Sequence, residues 1–192
     1  MLCWGYNGYG HVGDGSTVNR TSPTLVVGNV KQMALGEITT YALRNNGTVY
    51  SWGYNAHGQI GNGTTTNQSG PTLIASLTAI DTIITTTYRY GTAFAIKNSG
   101  NTVYSWGYAG DYGQTGNGTL ASILFPSIIN LKNVKAMTSC GSWDNISGSG
   151  WQATNMIVLL KDGGVKCWGY GGAGGNGNAN NIGTYTPQLI NR

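Results

Sequence analysis

The sequence predicts an all-β chain, a β-propeller of four-stranded blades. Two observations carry that prediction. Trp-Gly pairs begin at Trp4, Trp52, Trp106 and Trp168, and each is followed 19 or 20 residues later by one of the chain's four prolines, Pro23, Pro71, Pro126 and Pro187. Between each proline and the next Trp-Gly pair lies a hairpin pattern, and all the variation in repeat length falls there. Units of about 50 residues, each too small to bury both faces of its own sheet, shelter one another when stacked around an axis.

The elements of one unit follow in order. A short apolar segment comes first: VKQMALG, IDTIITT and VKAMTSC in the three full units. Brevity and β-branched content make it a strand, expected to be covered on both faces. A hairpin follows, as in TTYALRNNGTVYSWG, with a turn containing Asn-Gly between two strands rich in β-branched and aromatic residues. A glycine-rich passage then leads to the proline strand, TSPTLV, SGPTLI, LFPSII or YTPQLI. Proline there implies an edge strand, which need not donate every hydrogen bond.

On this pattern the chain is one repeat domain, 1–192. Residues 30–74, 80–129 and 134–190 are complete blades, and 3–26 supply only the outer strands of another. Three blades and a part suggest a larger propeller, with the missing strands coming from upstream sequence or another chain.

The units resemble the repeats of the regulator of chromosome condensation family. The resemblance rests on Trp52-Gly53, Gly58-Gln59-Ile60-Gly61-Asn62-Gly63 and Pro71-Thr72-Leu73-Ile74, and on Trp106-Gly107, Gly113-Gln114-Thr115-Gly116-Asn117-Gly118 and Pro126. It implies a propeller of about seven blades. It also implies a range of roles: nucleotide-exchange factors for small GTPases, secreted β-lactamase inhibitors, and many bacterial and viral proteins. Where that family often places His after the first strand, Thr39, Thr92 and Asn155 stand here.

Composition narrows the function. Only 8% of residues are charged and 32 are glycine. No apolar run reaches the roughly 18 residues of a spanning helix, and no signal peptide is visible. Such polar, turn-rich chains suit a cell or virion surface. The ten basic residues form no run, so nucleic acid is an unexpected partner. Cys3, Cys140 and Cys167 allow one disulfide at most. Six Asn-x-Ser/Thr sequons begin at Asn19, Asn46, Asn62, Asn67, Asn117 and Asn145.

Catalytic groups are sparse. His11 and His57 fall at turn positions, no His pair has metal-ligand spacing, and no Gly-x-Ser-x-Gly elbow is present. The chain is therefore expected to be non-catalytic, with no cofactor and no metal. Binding residues are sought instead in the length variation. Residues 85–91 bring Tyr88, Arg89 and Tyr90, and 141–155 bring Trp143, Asp144 and Trp151, both between first strand and hairpin and so on one face. Aromatic and Arg side chains dominate protein hot spots, and aromatic faces stack on sugars. Arg44, Lys97 and Lys161 recur at one hairpin shoulder, an arc for an anionic partner. The expected function is a binding or scaffold module for a protein or a glycan. The alternatives are an exchange factor, with Asp144 in the wedge loop, and a filament or capsid-decoration protein.

Overall fold

The computed structural model describes residues 1–86, 91–97, 101–144, 151–172, 177 and 182–190, with backbone alone at 141–144 and 151–154. It is all-β, as the repeat predicts. Strands β1 (Leu2–Gly5) and β2 (Arg20–Leu25) pair as a two-stranded sheet. Three four-stranded antiparallel sheets follow. The first is β3 (Val30–Leu35), β4 (Thr39–Arg44), β5 (Val49–Gly53) and β6 (Gln68–Leu73). The second is β7 (Ile80–Thr85), β8 (Thr92–Lys97), β9 (Thr102–Gly107) and β10 (Ile123–Ile129). The third is β11 (Val134–Asp144), β12 (Trp151–Leu160), β13 (Val165–Gly169) and β14 (Thr184–Leu189).

Strand order equals chain order in every sheet, so each is a meander whose outermost strand carries the proline. A register shift opens opposite each tryptophan. Ser51 pairs with Thr72 and Gly53 with Gln68, leaving residues 69–71, Pro71 among them, to bulge across from Trp52. The same bulge places Pro23, Pro126 and Pro187 opposite Trp4, Trp106 and Trp168. A residue without a backbone N–H sits where the ladder is already broken.

The first strands touch across blades, β3 with β7 and β7 with β11, so they mark the inner edge of the fan. Gln32 on β3 grips β7 there: its amide Nε2 donates to the Ile83 carbonyl at 2.8 Å, and the Ile83 N–H donates to its Oε1 at 3.0 Å. The second and third strands are the buried ones. Tyr41, Leu43 and Val49 pack with Ile83, Ala93 and Trp106 between two blades. Phe94, Val103, Met156 and Trp168 do the same between the next two.

The expectation of cover on both faces fits β7, where only Asp81 is exposed, but not β3. β3 alternates half-buried and exposed residues, with Met33 and Leu35 exposed. These two face a cleft of about 410 Å³ shared with Leu2 and Trp4. Trp4 is 61% exposed, whereas Trp52, Trp106 and Trp168 are fully buried. Among the described residues β1 pairs only with β2, and its other edge meets no strand.

The three cysteines are free thiols, Cys167 buried and Cys140 exposed, so the one disulfide the sequence allowed is not made.

Candidate functional site

Strand direction gives the fan two ends. One carries the short hairpin turns, at residues 45–48 and 161–164 for instance. The other carries the crossovers from Trp-Gly to proline together with the connections from first to second strand. The candidate site lies at this crossover end.

The first two crossovers are each built on a buried asparagine, Asn7 and Asn55. Asn55 Nδ2 donates to the carbonyls of Thr64 at 2.9 Å and Thr66 at 3.0 Å, while its Oδ1 accepts the Ile60 N–H at 2.9 Å. Asn7 makes the equivalent bonds to Ser16, Val18 and Val12. One amide thus ties three points of the loop together and satisfies a buried N–H, of Val12 or Ile60, that would otherwise be costly.

The first three crossovers also hold the next blade, each at three points. The carbonyls of His11, Gln59 and Gln114 accept the indole N–H of Trp52, Trp106 and Trp168 at 3.0, 2.9 and 2.9 Å. Gly13, Gly61 and Gly116, all at positive φ, lie so close that a Cβ would fall within 2.8 Å of those same indoles. The N–H groups of Gly15, Gly63 and Gly118 donate to the bulge carbonyls of Ser69, Leu124 and Tyr185. Three contacts at fixed separation explain the fixed length of this passage.

On top of the crossovers stand aromatic rings. A tyrosine follows every Trp-Gly pair: Tyr6, Tyr54, Tyr108 and Tyr170. Each of the last three meets a ring from the blade before it. Tyr9 contacts Tyr54 at a centroid distance of 5.2 Å, His57 contacts Tyr108 at 4.7 Å and Tyr112 contacts Tyr170 at 4.8 Å. Tyr6–His11 and Tyr54–His57 contacts join the pairs within a blade. These rings are half-buried, apart from Tyr6, which is exposed. Burial lowers the pKa of His11 and of His57, although a backbone bond at Tyr6 opposes the shift at His11. The imidazoles are therefore held toward the neutral form. Burial raises the Tyr112 hydroxyl, with Tyr170 and Asp111 adding to it. The row presents aromatic edges and hydroxyls with little charge, a surface suited to apolar and hydrogen-bonding partners.

Tyr88, Arg89 and Tyr90 lie outside the described residues. Trp143, Asp144 and Trp151 belong to strands, not to a loop as expected. β11 and β12 continue past Cys140 and Asn155, where β13 stops, and pair Trp143 with Gln152 and Asp144 with Trp151. Two segments of similar length and alternating character prolong an existing ladder more readily than they leave it. Their ribbon extends from the crossover end. Arg44, Lys97 and Lys161 lie at the opposite end, and the Arg44 guanidinium sits 5.7 Å over the Tyr50 ring. Two of the three residues replacing the family's His serve the backbone: Thr39 and Thr92 hydroxyls donate to the carbonyls of Tyr54 and Tyr108.

Sequence reasoning missed the aromatic row. Its signal was the Trp-Gly-Tyr triplet, present in all four units.

The model of the regulator of chromosome condensation (RCC1) repeat matches residues 1–43 and 46–85, and a second model of that repeat matches 30–59. The chain is 33% identical over 177 residues to the E3 ubiquitin-protein ligase HERC2 of Mus musculus and 32% identical to that of Homo sapiens. Those matches cover 88% of this chain, which spans about 3% of the length of these relatives. Among solved structures, yeast RCC1 (Prp20) bound to Kap60 superposes with a TM-score of 0.76 at 19% identity, over 100% of this chain and 44% of that one. Human WBSCR16 gives 0.67 at 23% identity, over 95% and 45%. Repeat pattern, blade geometry and these likenesses agree: the chain belongs to the regulator of chromosome condensation repeat family.

Proposed function

We propose that the chain is a non-catalytic protein-binding module that takes its partner at the crossover end, on the aromatic row and the β11–β12 ribbon. The observation that carries this reading is the row itself, in which rings of consecutive blades meet edge to face or tilted across each seam. Its backbone is held by the crossovers, so the rings are presented at low entropic cost on binding. Relatives fit the class. Prp20p of Saccharomyces cerevisiae was solved alongside its binding to Gsp1p and histones, and yeast RCC1 in complex with Kap60.

A glycan is the rival ligand, since sugars also stack on aromatic faces. Immobilised protein and glycan panels separate the two. The expected result is protein binding that falls at least about tenfold in a Tyr54→Ser/Tyr108→Ser variant, with the thermal melt little changed. Binding confined to glycans, or protein binding indifferent to the substitution, refutes the reading. The location proposed with it is the surface of a cell or virion, consistent with the low charge; protease accessibility on intact particles tests it. Exchange activity on a small GTPase is the second reading, favoured by the superposition on yeast RCC1. Accelerated release of labelled nucleotide by the full chain would establish it.

A further inference from the structure

Basic residues that are scattered in the sequence are gathered by the fold. Adjacent strands alternate in direction, so position along a strand fixes the end a residue occupies. Lys31 and Lys135 are second residues of β3 and β11, Arg44 and Lys97 the last of β4 and β8, and Lys161 follows β12. Lys132 lies in the β10–β11 connection, and Lys166 is second in β13. All seven occupy the turn end. Among the described residues the one base at the crossover end is Arg20, which pairs with Asp14. The acids divide the other way. Asp14, Glu37, Asp111 and Asp144 lie at the crossover end, and only Asp81 and Asp162 at the turn end.

The turn end also has a cleft. It holds about 540 Å³ beside the seam of β7 and β11, with Ile84, Ile96 and Met137 among its apolar lining and Lys135, Lys161 and Asp81 among its polar lining. Lys135 and Lys161 are exposed.

We propose that this cleft and the cations around it dock an acidic peptide segment of a partner protein, with one apolar side chain of that segment seated on the cleft floor. Excess positive charge draws an anion, and the apolar lining asks for more than a bare phosphate. Single-stranded nucleic acid would call for open aromatic platforms. The rings toward this end are engaged: Arg44 stands over Tyr50, and Tyr104 packs against the core between blades. A second copy of the chain fits poorly, because its four crossover-end acids do not match seven cations and one of them is already paired. This surface is separate from the aromatic row, so the two readings stand or fall independently.

The full chain is titrated with three labelled probes: an Asp/Glu peptide centred on one Leu, the same peptide with Ser for Leu, and an oligo-dT of equal charge. The Leu peptide is expected to bind most tightly and to weaken as salt rises. Lys135→Glu/Lys161→Glu should weaken it about tenfold, the size expected when two exposed charge contacts are reversed. Glu37→Lys, at the far end, should leave it unchanged. If the reversal disturbs the melt, Lys135→Gln/Lys161→Gln carries the test with the same direction. Equal binding of the Leu and Ser peptides, indifference to the lysine substitutions, or tighter binding of oligo-dT overturns the proposal.

Discussion

The claim that crossovers clamp the next blade's tryptophan can be tested within a single loop. Gly116 and Gly118 are two residues apart in the third crossover, with φ of +72° and +89°. Alanine at either position carries the left-handed backbone penalty, roughly 1–2 kcal/mol. Their surroundings differ. A Cβ on Gly118 meets its nearest neighbour, Thr186 Cγ2, at 3.5 Å, an ordinary contact. A Cβ on Gly116 falls 2.8 Å from both Cε2 and Nε1 of Trp168, which is fully buried and bonded to the Gln114 carbonyl. Overpacking a buried site of this kind costs about 1–3 kcal/mol more. The expected losses are therefore about 1–2 kcal/mol for Gly118→Ala and about 2–5 for Gly116→Ala. In a domain of this size the difference corresponds to several degrees of melting temperature. Urea denaturation followed by tryptophan fluorescence reads both variants, and Trp168 itself reports the disturbance. Equal losses for the two would show that only backbone strain matters and that the indole is not clamped.

Three further outcomes are expected. Asn55→Ala leaves the Ile60 N–H and the carbonyls of Thr64 and Thr66 without their amide partner; a loss of about 2–5 kcal/mol of unfolding free energy by urea denaturation is expected, and one under about 1 would deny the asparagine its role. Ala79 has φ of 54° at the position where the neighbouring blades use Asn29 and Asn133, so Ala79→Asn should stabilise the chain by about 0.5–1 kcal/mol, and a lower melting temperature would contradict that. Because burial lowers both histidines below 6.5, the unfolded chain takes up their protons first; stability present above that value should fall as pH drops through it toward the folded-state values, and a His11→Gln/His57→Gln variant should show a flatter dependence in melts between about pH 7.5 and 5.5.

Much of the blade was legible because its determinants are local. Trp-Gly, the glycine turn and the proline recur at nearly fixed spacing, and hairpins reveal themselves by short-range pattern. Contacts between blades were not legible, since their partners lie about 50 residues apart and share no local signature. Tyr9 and His57 look like turn residues until Tyr54 and Tyr108 are seen across the seam. The bases show no run because a run measures proximity along the chain, whereas strand direction places Lys31 and Lys161 at the same end. The sequons were ambiguous for a related reason. Asn46 and Asn62 accept from the threonines two residues on, and Asn67 accepts the Asn55 N–H, so that tripeptide also spells a turn.

The contrast between the two connections in each blade explains where this architecture leaves room for binding. The crossover is bonded to its own blade through the asparagine and to the next blade through a carbonyl, a glycine and an N–H, so an inserted residue must break one of those contacts or be absorbed between them. The third crossover shows the absorption. It has one residue more from Trp to Pro and replaces the buried asparagine with Ala109, whose carbonyl accepts the Gln114 N–H directly; the extra length emerges at Asp111 and Tyr112, and the clamp on Trp168 is kept. The connection from first to second strand is held by fewer bonds. In the first full blade it is closed by Gly36 N–H to the Thr39 carbonyl and tied to the end of the third strand by Tyr54 N–H to the Ile38 carbonyl, and in the last it has grown into the β11–β12 ribbon without displacing Trp168. Growth there changes what the crossover end presents while the seams between blades keep their geometry. Trp4 shows the converse: among the described residues no crossover carbonyl or glycine packs on its indole, and the same Trp-Gly unit stands open to solvent. Burial of the indole therefore comes from the neighbouring blade and not from its own sheet.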